Sequence, residues 1–109
     1  MIVTMTENVP GYQITQVIGT VKGNTVRTRF FGRDIIAGLR NLVGGEVPEY
    51  TKLMAEAREQ ALDRMIASAQ AEGADAVVNM RVTTSMIMGG SAELLAYGTA
   101  VRLTRSDTL

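Results

Sequence analysis

The segment from Pro48 to Glu72 constrains most of what this chain can become. Pro48 suits a first helical turn, where its missing N–H is not needed. Gly73 supplies the left-handed residue that ends a helix. Wound at about 100° per residue, the segment places Lys52, Glu56, Glu59, Asp63 and Gln70 on one polar stripe. The apolar arc carries Met54, Ala57, Ala61, Leu62, Met65, Ile66 and Ala69. That arc takes in roughly half the circumference, whereas one sheet face needs a stripe nearer 100° wide. A long helix of this kind calls for a sheet beneath it and for a second surface at its flank, most simply another copy of the chain.

The flanking segments supply the sheet. Ile2 to Thr4 reads as a short edge strand before the Val9-Pro10-Gly11 turn signal. Tyr12 to Lys22 is rich in Ile, Val and Thr, as strands are. Gly23-Asn24 fits a two-residue hairpin loop, with Thr25 to Phe31 as a short returning strand. Gly32-Arg33-Asp34 opens a short helix carrying Ile35, Ile36, Leu39 and Leu42, and Gly44-Gly45 ends it. Ala76 to Met88 and Glu93 to Thr104 read as two strands around a tight turn at Gly89-Gly90. The expected class is α+β: a single domain over 1–109, an antiparallel sheet with a β-α-β-β core whose last strand is central, and one short and one long helix on one face.

A two-residue loop at Gly89-Gly90 sets Val82 opposite Tyr97, Met80 opposite Thr99 and Val78 opposite Val101, an apolar face that belongs under the helix. The other face then pairs Ser85 with Leu94, Thr83 with Ala96, Arg81 with Gly98 and Asn79 with Ala100. An open sheet of this kind leaves edges and one face uncovered, and native proteins generally cover them. A closed ring of identical subunits would do so.

Composition narrows the chemistry. The chain of 109 residues has no Cys and no His. This removes disulfides, the usual zinc, copper and iron ligands, and every nucleophile–histidine pair within the chain. Eleven Lys plus Arg balance eleven Asp plus Glu, so no net field draws the protein to nucleic acid or to an anionic membrane. No Gly-rich phosphate loop is present. The start lacks the basic and apolar regions of a signal peptide, and no apolar run approaches the roughly 20 residues that cross a bilayer, so a cytoplasmic protein is expected.

Several side chains remain as site candidates. Asn79, Arg81, Thr83 and Ser85 project from one strand face and, repeated around a ring, would line a polar channel or seam able to bind a ligand. Arg58 falls inside the apolar arc and requires a partner, with Asp34, Glu46, Asp75 and Glu93 as candidates in the same chain or across a subunit boundary. Glu56, Glu59 and Asp63 read as a solvated helix face rather than a cation site. Met80, Met86 and Met88 alternate along one strand and are expected beneath the helix as core, although thioethers suit soft metals. Asp34 at a helix start reads as a cap.

In order along the chain, Thr6-Glu7-Asn8-Val9-Pro10-Gly11-Tyr12, Lys22-Gly23-Asn24-Thr25-Val26, Gly32-Arg33-Asp34-Ile35, Gly44-Gly45-Glu46, Tyr50-Thr51 and Ala57-Arg58-Glu59-Gln60-Ala61 are followed by Gly73-Ala74-Asp75-Ala76-Val77-Val78 and Ala96-Tyr97-Gly98-Thr99-Ala100-Val101. This series resembles the YbjQ-like family, labelled a heavy-metal-binding domain, over nearly the whole chain. The resemblance implies a dodecin-like strand–helix–strand–strand subunit assembled as a pentameric ring. It supplies no catalytic residues. A metal site in this chain would have to use Met sulfur or carboxylates. The expected function is a non-enzymatic ring that binds a small ligand or metal ion. The alternatives are a structural or protein-interaction module, and an enzyme working through carboxylate or Arg groups.

Overall fold

The computed structural model describes residues 1–27, 48–87 and 91–106. Four strands and one helix follow in the order β1 (Ile2–Val3), β2 (Tyr12–Arg27), α1 (Pro48–Ala71), β3 (Ala76–Ile87) and β4 (Ser91–Arg105). They form one sheet of order β1-β3-β4-β2, so the last strand lies between its two long neighbours as the sequence implies. β4 is antiparallel to both β2 and β3, while β1 runs parallel to β3, which makes the four-strand sheet mixed. The short helix expected after Gly32 and the Gly89-Gly90 turn lie outside the described residues.

Helix α1 ends as its glycine dictates. Gly73 adopts φ 78°, its N–H donates to Gln70 O at 3.0 Å, and Ala74 N–H donates to Ala69 O at 3.1 Å. These two bonds are the Schellman pattern. A side chain at position 73 meets open space, so only the backbone resists substitution. Gly73→Ala is expected to lower stability by about 1 kcal/mol, read as a shift in the urea midpoint at unchanged slope.

The helix rests on the sheet through a narrow row. Ala57, Ala61, Met65 and Ala69, four residues apart, are all fully buried. Met65, Ala61 and Ala69 cluster with Val21, Val77, Ala96 and Ala100, flanked by Ile18, Leu62, Ile66, Met80 and Val82. The helix lies mainly over β2, then β4, and barely reaches β3. Arg64 bonds Asn24 O and Arg27 bonds Gln60 Oε1, which fixes the 60/64 flank of α1 on the β2 side. By helical geometry the Arg58/Leu62/Ile66 flank is then the β3 side.

Gly23-Asn24 is not a hairpin. β2 runs unbroken through both residues and pairs with β4 from Tyr12↔Arg105 to Arg27↔Ala92. A Cβ on Gly23 would collide with Ala61 O and Met65 N, so the glycine is where the helix backbone comes down onto the strand. Next to it, Thr25 is buried and its hydroxyl donates to Ala57 O at 3.0 Å.

The β3–β4 register also differs from the expected one. Val82 faces Ala96, Thr83 faces Leu95, and Ile87 pairs with Ser91, leaving residues 88–90 between the strands rather than two. Val78 pairs with Thr99, but Arg81 pairs with Tyr97, so Asn79 and Met80 both stand opposite Gly98. That is a β-bulge. On β4 it is Ala92, Leu94, Ala96 and Ala100 that face the helix, and Tyr97, Thr99 and Val101 that face away. A second, smaller core forms on that far face at one end, where Val9 folds over Ala76, Val78 and Val101 beside Ile14 and Leu103.

Candidate site at the β3 bulge

The bulge decides where Arg81 goes. Val78 belongs to the face away from the helix. Strict alternation would send Met80 to that same face and Arg81 into the helix-side core. The extra residue reverses this: Met80 packs against the helix-side cluster and Arg81 emerges on the open face opposite Tyr97. Asn79 absorbs the cost, adopting φ 53°, a left-handed conformation that Asn tolerates better than most side chains. Gly98 makes room opposite: a Cβ there would lie 2.5 Å from Val77 Cγ1 and 3.1 Å from Val78 O.

The segment after β1 closes over the bulge. Asn79 N–H donates to Thr6 O at 3.0 Å and Met80 N–H to Thr4 O at 3.0 Å. The segment is knitted internally: Thr6 N–H bonds Thr4 Oγ1 at 3.1 Å, and the Thr6 hydroxyl donates to Asn8 O at 2.6 Å. Arg81 Nη1 donates to Met5 O at 3.2 Å and Met80 O at 3.0 Å, holding the guanidinium at the mouth of an open cleft of about 540 Å3. Thr6, Glu7, Asn8, Pro10, Asn79 and Arg81 line it.

Of the four residues expected to share a ligand surface, the structure brings Asn79 and Arg81 together. Thr83 and Ser85 lie farther along the same strand, exposed, opposite Leu95 and Glu93. Thr6, Glu7 and Asn8 are additions that the sequence reading did not single out. Val9-Pro10-Gly11 marks a turn there, but nothing local indicates that it folds onto β3. Arg58 is exposed on the β3 side of α1. Within the chain, Asp75 accepts from Leu103 N–H at 2.8 Å and Glu93 from Asn24 Nδ2 at 3.2 Å. Asp34 and Glu46 lie outside the described residues.

Among the described residues the donor set does not suit a heavy metal. Cys and His are absent from the chain. Among the described residues, no group of three or more Asp or Glu converges. Glu56, Glu59 and Asp63 are exposed along α1 beside Lys52, Arg27 and Gln60. The methionines are dispersed: Met65 is core, Met80 packs beneath the helix, Met86 is 73% exposed and Met5 61% exposed, while Met88 lies outside the described residues. Met86 is a departure from expectation, since α1 does not extend over the outer half of β3. Among the described residues no helix is long and apolar enough to cross a membrane.

Comparison with known proteins agrees with this architecture. Residues 1–104 match the family model described as "Putative heavy-metal-binding". A UPF0145 protein of Archaeoglobus fulgidus is 58% identical over 103 residues, 94% of this chain and 95% of that protein. One from Thermosipho africanus is 50% identical over 107 residues, covering 98% and 99%. The crystal structure of a DUF74-family protein from Pediococcus pentosaceus superposes with a TM-score of 0.64 at 14% identity, over 95% of this chain and 98% of that one, and shares the fold. With a match over this length and relatives at this identity, the chain belongs to the YbjQ family of UPF0145 proteins.

Proposed function

We propose that the chain acts as a non-enzymatic, cytoplasmic homo-oligomeric ring, a pentamer, that binds a small ligand bearing a hydrogen-bond acceptor or negative charge in the cleft at the β3 bulge. The observation that carries this reading is the bulge itself. Among the described residues Asn79 is the one non-glycine residue at positive φ, and it stands beside an arginine that the same distortion turns out of the core. Bulges concentrate at sites where a side chain is re-aimed, and a strained conformation is kept where the surroundings over-determine it. The apolar width of α1 and the exposed Arg58 on its flank support assembly. The family resemblance supplies the number five.

Arg81→Ala is expected to weaken ligand binding about tenfold or more, because hydrogen bonds to a charged donor contribute roughly 1.5–3 kcal/mol. Native mass spectrometry of protein purified without chelator reads it as loss of a bound mass. A ring with the same adduct on wild type and Arg81→Ala would remove the cleft from the account. A second reading, a protein-docking module, is favoured by the apolar side chains exposed on β2, Val17 at 64% and Val26 at 50%. A ring that carries no adduct under any purification would support it.

A further inference from the structure

The two charges in the bulge cleft are not spent on each other. Arg81 is held by one end, where Nη1 donates to Met5 O at 3.2 Å and to Met80 O at 3.0 Å. The other edge of the guanidinium, Nε with Nη2, makes no bond among the described residues. That edge carries two parallel N–H donors, the fork that matches a carboxylate. Glu7 lines the same cleft and is exposed, yet Arg81 bonds backbone carbonyls and not its carboxylate. The backbone on both sides of Glu7 is tied down. Asn79 N–H donates to Thr6 O at 3.0 Å, and the Thr6 hydroxyl donates to Asn8 O at 2.6 Å. Asn79 adds a half-buried carboxamide to the lining, with no hydrogen bond of its own among the described residues. A glycine would hold φ 53° at lower cost, so what asparagine contributes there is that amide.

We infer that the cleft selects a zwitterion, a small aminocarboxylate whose carboxylate takes the Nε/Nη2 edge of Arg81 and whose ammonium meets Glu7. This rests on the cleft reading above and names its ligand class. A ligand carrying only negative charge gains from Arg81 and is repelled by Glu7, and one carrying only positive charge meets the reverse. The like charge thus acts against the wrong ligand, as selective sites require. A molecule with both charges satisfies each group at once, and the Asn79 carboxamide offers it a further donor and acceptor. The cleft is open and both side chains are exposed, so each ion pair taken singly is weak. Selectivity comes from joining the two in one ligand.

Amide NMR spectra of the full chain, titrated with glycine, β-alanine and γ-aminobutyrate beside butyrate and butylamine, test the assignment. The series varies the distance between the charges, and the last two probes carry one charge each. At least one aminocarboxylate is expected to shift the amides of Thr6, Glu7, Asn8, Asn79 and Arg81. Its affinity should exceed that of butyrate and of butylamine by about threefold or more. In Glu7→Gln the same probe should bind only as well as butyrate, and in Arg81→Ala only as well as butylamine. The spectra report directly whether each variant is folded, and the comparison of probes on wild type needs no variant. Butyrate binding as tightly as every aminocarboxylate would overturn the zwitterion while leaving an anion-binding cleft at Arg81. Affinities unchanged by Arg81→Ala would overturn both the zwitterion and the cleft. Shifts at none of these amides with any probe would overturn the assignment, whatever mass the protein carries.

Discussion

Gly23→Val is expected to undock the long helix from the sheet and to lower stability by about 3 kcal/mol. For a chain of this size that corresponds to a melting temperature lower by roughly 12–24 °C. In an ordinary strand the same change would help, since valine favours extended backbone and glycine does not. Here the sign is reversed by what lies above the strand. The added Cβ meets Ala61 O and Met65 N, both backbone atoms of α1, and no rotation of a side chain relieves the overlap. The helix has to lift, and lifting it uncovers Ala57, Ala61, Met65 and Ala69 together. Gly23→Ala should move in the same direction by a smaller step. Thermal melts followed by circular dichroism decide it: a valine variant melting within a few degrees of wild type would show that the helix does not sit where it is placed.

The second large effect is expected at Met65. It is the largest fully buried side chain among the described residues and touches the cluster of Val21, Val77, Ala96 and Ala100. Most of its neighbours there are alanine or valine, with little length to reach into a void. Met65→Ala should therefore cost about 2–5 kcal/mol, near the upper part of that range. Met86→Ala makes a matched control: at 73% exposure in the single chain, its truncation should change stability by no more than about 0.5 kcal/mol. Urea unfolding of the two variants separates a core methionine from a surface one. Equal losses would contradict the placement of α1 over β2 and β4.

Much of this architecture is legible in the residues. Pro48 and Gly73 bracket the helix, and the apolar arc contains its four fully buried residues. The strand order follows from the strand–helix–strand–strand sequence. What escapes is tertiary. Gly23-Asn24 carries a turn signal, and only the helix descending on that point shows that the glycine is there for close approach. The bulge at Asn79 leaves no local mark, so a strict period of two puts Val78 on the helix face, and a register one residue out reverses the faces of β4. Arg58 reads as buried because the apolar arc is wider than the row that seats on the sheet; it is exposed, with α1 lying mainly over β2. At the site, Arg81 and Asn79 stand out as polar residues in an apolar strand. Thr6, Glu7 and Asn8 do not, because their proximity to β3 comes from a chain reversal rather than from spacing.

Native mass spectrometry of wild type beside Arg81→Ala, both purified without chelator or affinity metal, tests the ring and its cleft together. A ring of five is expected in both, with a stoichiometric bound mass on wild type that is lost or much reduced in the variant. A monomer, or an adduct retained equally by both proteins, would contradict it.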